Sequence, residues 1–255
     1  MSSILRGVSE TAPCLPDGLD ALRSELSVAE VMRLIERTAR WVDPATFRLL
    51  PVWFPEHSRR GLFYKAGWSA PQMNRNRQTG IEVHKHEGNN YASKALTMAL
   101  GLRGRDRPNW SCCHIWGIDD ATFATTNTIV QDPRYYSCVA NMVLLPTPLK
   151  AFTDVMPEVK AMLRTCAYHT FGRRCCEPMF DSHDIAQPGR WAFYPTSWPR
   201  SGNDPPPPGT IALTEGIARD ARKRLARICD DLEHAGPFYP RDQVRAVLAH
   251  WGIKP

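Results

Sequence analysis

The chain has 255 residues, of which 43% are hydrophobic and 23% charged, and its formal net charge is +6. This composition is ordinary for a soluble globular protein. No apolar run reaches the roughly 18 residues of a membrane-spanning helix, and residues 1–6 lack a signal-peptide apolar region. The sequence therefore predicts a cytoplasmic protein without a membrane partner.

The N-terminal part predicts a helix followed by a hairpin. Residues 1–26 show no clear period and are interpreted as a mobile arm or covering segment. A capping-box pattern over Ser27–Glu30 predicts the start of an amphipathic helix. Two short apolar runs, 48–54 and 61–65, then predict a hairpin that turns at 56–60.

The next segment predicts a strand and a helix. Residues 81–87 alternate in polarity, which places Glu82, His84 and His86 on one face of a strand. That face could present ligands or an acid–base pair, although a polar outer face of an edge strand is favoured. Asn90 is the predicted cap of a helix over 91–100, which Gly101 ends as a left-handed cap.

The stretch from Asn109 to Asp154 has the order strand, loop, strand, helix. Residues 109–117 predict a strand that contains His114, and residues 138–146 predict a second strand near whose start Asn141 lies. A long polar loop connects them, and loops of that length are usually functional or disordered. Thr147 as cap and Pro148 at the first helical position predict that a helix follows directly.

This order is typical of a one-metal nuclease site. Phosphodiester hydrolysis requires an activated water and a cation that neutralises developing charge, and a histidine can accept the proton of that water near neutral pH. Cys-His-Ile-Trp at 113–116 and Asn-Met-Val-Leu-Leu at 141–145 resemble the HNH, or ββα-metal, endonuclease family. The resemblance implies that His114 is the general base, that Asn141 braces the His-bearing loop, and that Mg²⁺ or Mn²⁺ is the cofactor.

The metal ligands depart from the family pattern. Cys113 stands where members carry an acidic residue or a histidine, and Lys150 stands where they carry His or Asn. The resemblance thus implies Cys113 and Asp154 as metal ligands, with Asp154 as a substitute. Asp154 has an alternative interpretation as an acid at a helix N-terminus. Further candidate carboxylates are Asp119 and Asp120 in the loop, and Glu82 and Glu87 before the motif.

The C-terminal part predicts more helices around a proline-rich loop. A helix starts at Pro157 and ends at Gly172, and the aromatic side chains of the loop after 181 are interpreted as pinning it to the core. Two amphipathic helices joined at 234–237 predict a helical hairpin. The predicted regions are 1–80 (helix and hairpin), 81–178 (nuclease-like core), 179–209 (proline-rich linker) and 210–255 (helical hairpin).

The eight cysteines do not predict a secreted disulfide framework. Most are interpreted as reduced and buried. A structural Zn²⁺ site, built from Cys113, Cys138 and Cys175 or Cys176 with a histidine, is a disfavoured alternative because adjacent cysteines are not the usual zinc spacing. A cysteine nucleophile, Cys112 or Cys113 beside a histidine, is a further hypothesis.

The prediction as a whole is an α+β protein with a ββα-metal core. The predicted function is divalent-metal-dependent cleavage of double-stranded DNA by a restriction or defence endonuclease, with a homodimer expected from that class. Arginine and lysine pair well with phosphate, and the residues predicted to bind DNA are Arg75, Arg77, Arg103, Arg105, Arg107 and Lys150. The alternative is a non-catalytic, basic nucleic-acid-binding protein on a degenerate HNH scaffold.

Overall fold

The computed structural model describes residues 17–118, 128–173, 175–176 and 187–254. In these ranges helices pack around small two-stranded sheets, so the prediction of a chain that mixes helices and strands is confirmed. The helices are α1 (Gly18–Glu25), α2 (Val28–Thr38), α3 (Pro44–Leu49), α4 (Asn90–Ala99), α5 (Pro133–Tyr136), α6 (Thr147–Val155), α7 (Pro157–Phe171), α8 (Glu215–His234) and α9 (Arg241–His250). The strands are β1 (Trp41–Val42), β2 (Met73–Arg75), β3 (Glu82–His84), β4 (Trp110–His114), β5 (Met142–Pro146) and β6 (Thr210–Ile211).

The strand β5 lies at the centre of the fold. It pairs antiparallel with β4, with His114 opposite Met142 and Trp110 opposite Pro146. Its other edge forms a bridge from Leu144 to Arg40, just before β1, and β1 pairs parallel with β6. Residues 142–145 are all buried, as expected for a strand that is covered on both faces. The hairpin of β4 and β5 is therefore held by the core.

The helices around this hairpin form where their local sequences predict them. The capping box of α2 is present, since the side chain of Glu30 accepts from the Ser27 backbone N–H and Ser27 Oγ accepts from the Glu30 N–H. Val31, Met32 and Ile35 are buried, and α2 packs against α6, α7 and β5. The helix α4 contacts β4 and β5. The helix that precedes the motif therefore packs against its two strands.

The predicted N-terminal hairpin is wrong. Residues 44–49 form α3, whose N-cap Asp43 accepts from the Ala45 N–H, and Val52 bridges to Cys138 rather than to residues 61–65. Prolines at both ends of the apolar run 52–54 suit an edge bridge better than a strand of a hairpin. A hairpin does form later, between β2 and β3, and its strands are exposed.

Several predicted boundaries shift by a few residues. Asn89, not Asn90, is the N-cap of α4, and Pro146, not Thr147, is the N-cap of α6. Asn141 ends a 3₁₀ turn before β5 and is not part of that strand. The turn matters because it orients the Asn141 side chain toward the end of β4.

The C-terminal segment closes the fold on one side. The helices α8 and α9 form the predicted helical hairpin and bury Ile228, Leu232, Val244 and Leu248 between them. In the preceding loop Tyr194 and Trp198 are buried, as predicted, whereas Phe193 is 51% exposed. In the ranges that the structure describes, no helix has the length and apolar character that crossing a bilayer requires.

Candidate active site

His114 ends β4 and is fixed through both its backbone and its ring. Its carbonyl oxygen accepts a hydrogen bond from Lys160 Nζ of α7 at 3.0 Å, and its ring Nε2 lies 2.9 Å from the Tyr136 carbonyl oxygen. A carbonyl oxygen only accepts, so Nε2 carries the proton. The lone pair of the neutral imidazole is therefore on Nδ1.

Burial sets the protonation state of this histidine. The residue is 9% exposed, and burial lowers the pKa of its imidazole from 6.5 to about 4, with the charges of Lys160 and Arg59 acting in the same direction. The hydrogen bond to Tyr136 opposes the shift without cancelling it. At neutral pH His114 is therefore an uncharged base.

Asn141 holds the chain on the far side of the histidine. It is fully buried, and its Oδ1 accepts from the Trp116 N–H at 2.8 Å. Its Nδ2 donates to the carbonyl oxygens of Trp116, at 3.2 Å, and Tyr135, at 3.1 Å. The amide thus joins the segment after β4 to α5, whose Tyr136 receives the His114 bond.

Glu87 acts on the same network from outside the cavity. Its Oε1 accepts from the Tyr136 hydroxyl at 2.8 Å and from the Asn90 N–H at 2.7 Å. The sequence suggested Glu87 or Glu82 as a substitute metal ligand. In the structure Glu87 instead holds Tyr136, and Glu82 lies on the exposed strand β3.

A cavity of about 270 Å³ opens beside His114. Three basic side chains line it, from three separate parts of the chain: Arg59, Lys150 of α6 and Lys160 of α7. Asp154 lies on the same wall and pairs with Lys150, while its Oδ1 is 4.0 Å from Lys160 Nζ. Arg59 also donates to Asn89, another lining residue, which fixes its guanidinium at the cavity.

No family model, curated protein or solved structure matches this chain. The chemistry of the site therefore rests on its own residues.

The described lining does not form a set of ligands for a divalent metal. Mg²⁺ takes several oxygen ligands, but Asp154 is paired with lysine, and burial raises the pKa of the Cys113 thiol to about 11. The Cys113 thiol also donates to the Ser111 carbonyl oxygen at 3.7 Å. Within the described ranges no three His, Cys, Asp or Glu side chains converge on one point. Asp119 and Asp120 lie outside the described residues.

The cysteines near the site are buried thiols. Burial raises the pKa of both Cys112 and Cys113, which disfavours the thiolate that a cysteine nucleophile needs. Cys138 and Cys175 approach to 3.9 Å between their sulfur atoms. A zinc site there would need further ligands, and the described residues provide no such group.

The predicted DNA-binding residues occupy different environments. Lys150 lines the cavity, whereas Arg75, Arg77, Arg103 and Arg105 are exposed on turns or on the short hairpin β2–β3. Arg107 is half-buried and donates to the Trp110 carbonyl oxygen and to Ser93 Oγ, so it also supports β4.

Sequence reasoning missed Lys160 and the cavity position of Arg59. Lys160 is 6% exposed and lies among the apolar positions of α7, where a buried lysine is uncommon. That pattern was a usable signal. Arg59 forms a basic pair with Arg60, but this pair lies in an irregular segment far from the motif, so the sequence did not place it at His114.

Proposed function

We propose that this protein hydrolyses phosphodiester bonds of double-stranded DNA, with His114 as the general base. The observation that carries the proposal is a neutral histidine, oriented through Nε2, in a cavity lined by Arg59, Lys150 and Lys160. These are the two parts that the reaction needs, a proton acceptor and fixed positive charge for a phosphate.

The chemistry follows from the tautomer. Nδ1 of His114 accepts a proton from a water molecule, the water oxygen attacks phosphorus, and the bond from phosphorus to the leaving oxygen breaks as that oxygen takes a proton from solvent. The ammonium groups of Lys150 and Lys160 and the guanidinium of Arg59 lie where they can offset the added negative charge. The Tyr136 carbonyl oxygen orients the imidazole, and Asn141 holds the neighbouring segment in place.

DNA is the proposed substrate because of the charge outside the cavity. The chain carries a net charge of +6, and Arg75, Arg103 and Arg105 present exposed side chains that can contact a phosphate backbone. Such contacts add affinity without sequence preference.

Removal of the imidazole tests the proposal. We expect His114→Ala to reduce cleavage of a supercoiled plasmid by about 100-fold or more, since a positioned base contributes that much. DNA binding, measured by electrophoretic mobility shift, should persist. The matched control is His234→Ala, an exposed histidine of α8, which should leave cleavage unchanged. Equal cleavage by wild type and His114→Ala would refute the role of His114.

The dependence on Mg²⁺ or Mn²⁺ stays a prediction from the resemblance. Plasmid cleavage with either ion, and with EDTA, tests it directly. Abolition by EDTA would mean that a cation binds with ligands beyond Cys113 and Asp154. Cleavage that EDTA leaves intact would mean that the lysines and Arg59 neutralise the phosphate by themselves. The restriction or defence role and the homodimer likewise stay predictions.

One observation favours the non-catalytic alternative. Asp154, the predicted ligand, pairs with Lys150, which disfavours metal binding by its carboxylate, while Arg59 and Lys160 still line the cavity and can bind a phosphate. In that case wild type and His114→Ala would bind DNA equally, and neither would nick a plasmid under any metal condition.

A further inference from the structure

A second cavity, of about 260 Å³, lies apart from His114 and has aromatic walls. His57 and Tyr91 stack there with ring centroids 3.4 Å apart and planes 11° apart. Trp68 lies 5.3 Å from the His57 ring and 4.9 Å from the Tyr64 ring. Tyr64, Trp68 and Tyr91 are only half-buried, so ring surface remains for a planar ligand.

The backbone holds Trp68 at this cavity at some cost. Trp68 has φ +58°, a left-handed conformation that is uncommon for a bulky side chain, and Gly67 before it has φ +66°. The Gly67 carbonyl oxygen accepts from the Gly236 N–H at 2.9 Å, which ties this turn to the segment between α8 and α9. Strain of this kind persists only where surrounding structure enforces it.

A buried carboxylate also lines the cavity. Glu56 is 9% exposed; its Oε1 pairs with Arg224 of α8, and its Oε2 is buried without a hydrogen-bond partner in the described structure. A buried acceptor without a donor costs free energy, which an N–H group of a ligand would recover. Uncharged rings surround this group, because burial lowers the pKa of His57 to about 3.

The charges of the lining select the class of ligand. Lys65, Lys94 and Arg224 line the cavity together with the single described acid Glu56, so the site is positive overall. A quaternary or methylated ammonium group, which aromatic cages also bind, would be repelled. A flat ring with an attached phosphate matches both the aromatic walls and the lysines.

We propose that this cavity binds a nucleotide, with the base stacked on Trp68 and an exocyclic amino group of the base donating to Glu56. Lys94 at the rim takes the phosphate. Because Glu56 accepts, a base with an exocyclic amino group, such as cytosine, fits, whereas the thymine O4 would face an acceptor.

The position of the cavity suggests how it would meet a polynucleotide. The segment 54–59 contributes Glu56 and His57 to the aromatic cavity and Arg59 to the cavity at His114. The segment 89–94 likewise contributes Asn89 to the cavity at His114 and Lys94 to the aromatic cavity. The same two segments therefore line both sites, and a strand that follows these segments would pass from one site to the other. Nucleotide binding itself does not depend on the proposed cleavage, so His114→Ala should retain it.

Calorimetric titration with deoxycytidine monophosphate and thymidine monophosphate tests the proposal. We expect the cytosine nucleotide to bind about tenfold tighter, the effect of one hydrogen bond to a charged acceptor. Trp68→Ala should weaken binding by roughly 5- to 100-fold through lost stacking. Its control is Phe193→Ala, an aromatic residue that is 51% exposed outside the cavity, which should change nothing.

Two further variants separate recognition from folding. Glu56→Gln replaces the free acceptor with an amide that can donate, so the preference should shift toward thymine. Lys94 is exposed, and Lys94→Ala should weaken binding of deoxycytidine monophosphate. It should not change binding of deoxycytidine, which lacks the phosphate. If Glu56→Gln does not fold, the cytosine preference of wild type and the Lys94→Ala result decide the matter.

Any of four results would overturn the proposal. These are no binding of either nucleotide, equal binding of both, no effect of Trp68→Ala on binding, or binding of a trimethyl-lysine peptide in place of the nucleotides. A final titration uses short single-stranded oligonucleotides of cytosine. Tighter binding than the mononucleotide supports a strand as the source of the base, and equal binding supports a free nucleotide.

Discussion

Asn141 shows how one buried amide can set the geometry of a site. Both of its polar atoms are used, one by the Trp116 N–H and the other by two carbonyl oxygens. These groups belong to the segment after β4 and to α5, which the long loop separates in sequence. The amide therefore closes that loop at its base.

Asn141→Ala should destabilise the protein by about 3–5 kcal/mol, because it leaves one N–H and two carbonyl groups without their partner. Urea unfolding measures the change. Asn141→Asp should also destabilise, since a carboxylate cannot donate to the carbonyl oxygens. Asn203→Ala, an exposed position, is the control and should have no effect. A loss below about 1 kcal/mol for Asn141→Ala would contradict the bracing role.

His114 should make the stability depend on pH. Its pKa is about 4 in the folded protein, below the value of 6.5 for a free histidine, so the unfolded state binds more protons. The stabilisation is complete above pH 6.5 and is lost as the pH falls toward 4, by about 3 kcal/mol. His114→Gln should remove that part of the acid destabilisation, and thermal unfolding from pH 7 to pH 4 measures it. If the stability of the variant and of the wild type falls equally between pH 7 and pH 4, the burial argument for His114 is contradicted. His57, whose pKa is lowered to about 3, adds the same acid destabilisation to both proteins.

At the scale of elements, the pairing of β1 with β6 depends on Gly209. A Cβ atom at this position would lie 2.2 Å from the Ala39 carbonyl oxygen, and its φ of +80° is one that glycine adopts easily. The Gly209 carbonyl oxygen accepts from the Trp41 N–H at 3.2 Å, which starts the pairing. The proline-rich segment is thus attached to the core through this residue.

Gly209→Ala should lower the free energy of unfolding by about 2–4 kcal/mol, through both backbone strain and the collision with Ala39. The matched control is Gly172→Ala, which also has a positive φ, +63°, but no atom within 4 Å of the added Cβ. It should cost only about 1 kcal/mol. Chemical denaturation of both variants checks the difference, and equal losses would show that the close approach does not matter.

At the scale of the whole molecule, Arg224 connects the C-terminal helices to the rest. Its Nε donates to the Trp53 carbonyl oxygen at 2.6 Å, its guanidinium pairs with Glu56, and its Cζ lies 4.5 Å from the Phe54 ring centroid. Burial raises the pKa of Glu56, and the charge of Arg224 opposes that change. The ion pair is therefore needed once the carboxylate is buried.

Arg224→Met should destabilise the protein by about 3–5 kcal/mol, because it leaves Glu56 as a buried charge without its partner. Adding Glu56→Gln to that variant should restore much of the loss, which a double-mutant cycle measures. Arg245→Met, an arginine whose side chain is 56% exposed on α9, should be neutral. The idea fails if Arg224→Met is neutral as well.

Local sequence patterns predicted several of the helices and the order of the motif correctly. The Ser27 capping box, the spacing of α7 and α8 and the strands on either side of the long loop depend on neighbouring residues, and these are found where they were expected. Capping and periodicity act within a few residues, so they can be read directly.

The side chains that surround His114 could not be predicted from local sequence, because the folded chain brings them together. Arg59 lies in the segment before α4 and Lys160 lies in α7, so both come from segments far from His114 in sequence. The hairpin predicted over 48–65 is wrong for the same reason, because Val52 forms its bridge with Cys138, which is distant in sequence. Long-range packing sets these contacts, because burial of a shared core outweighs the weak local preference of short apolar runs.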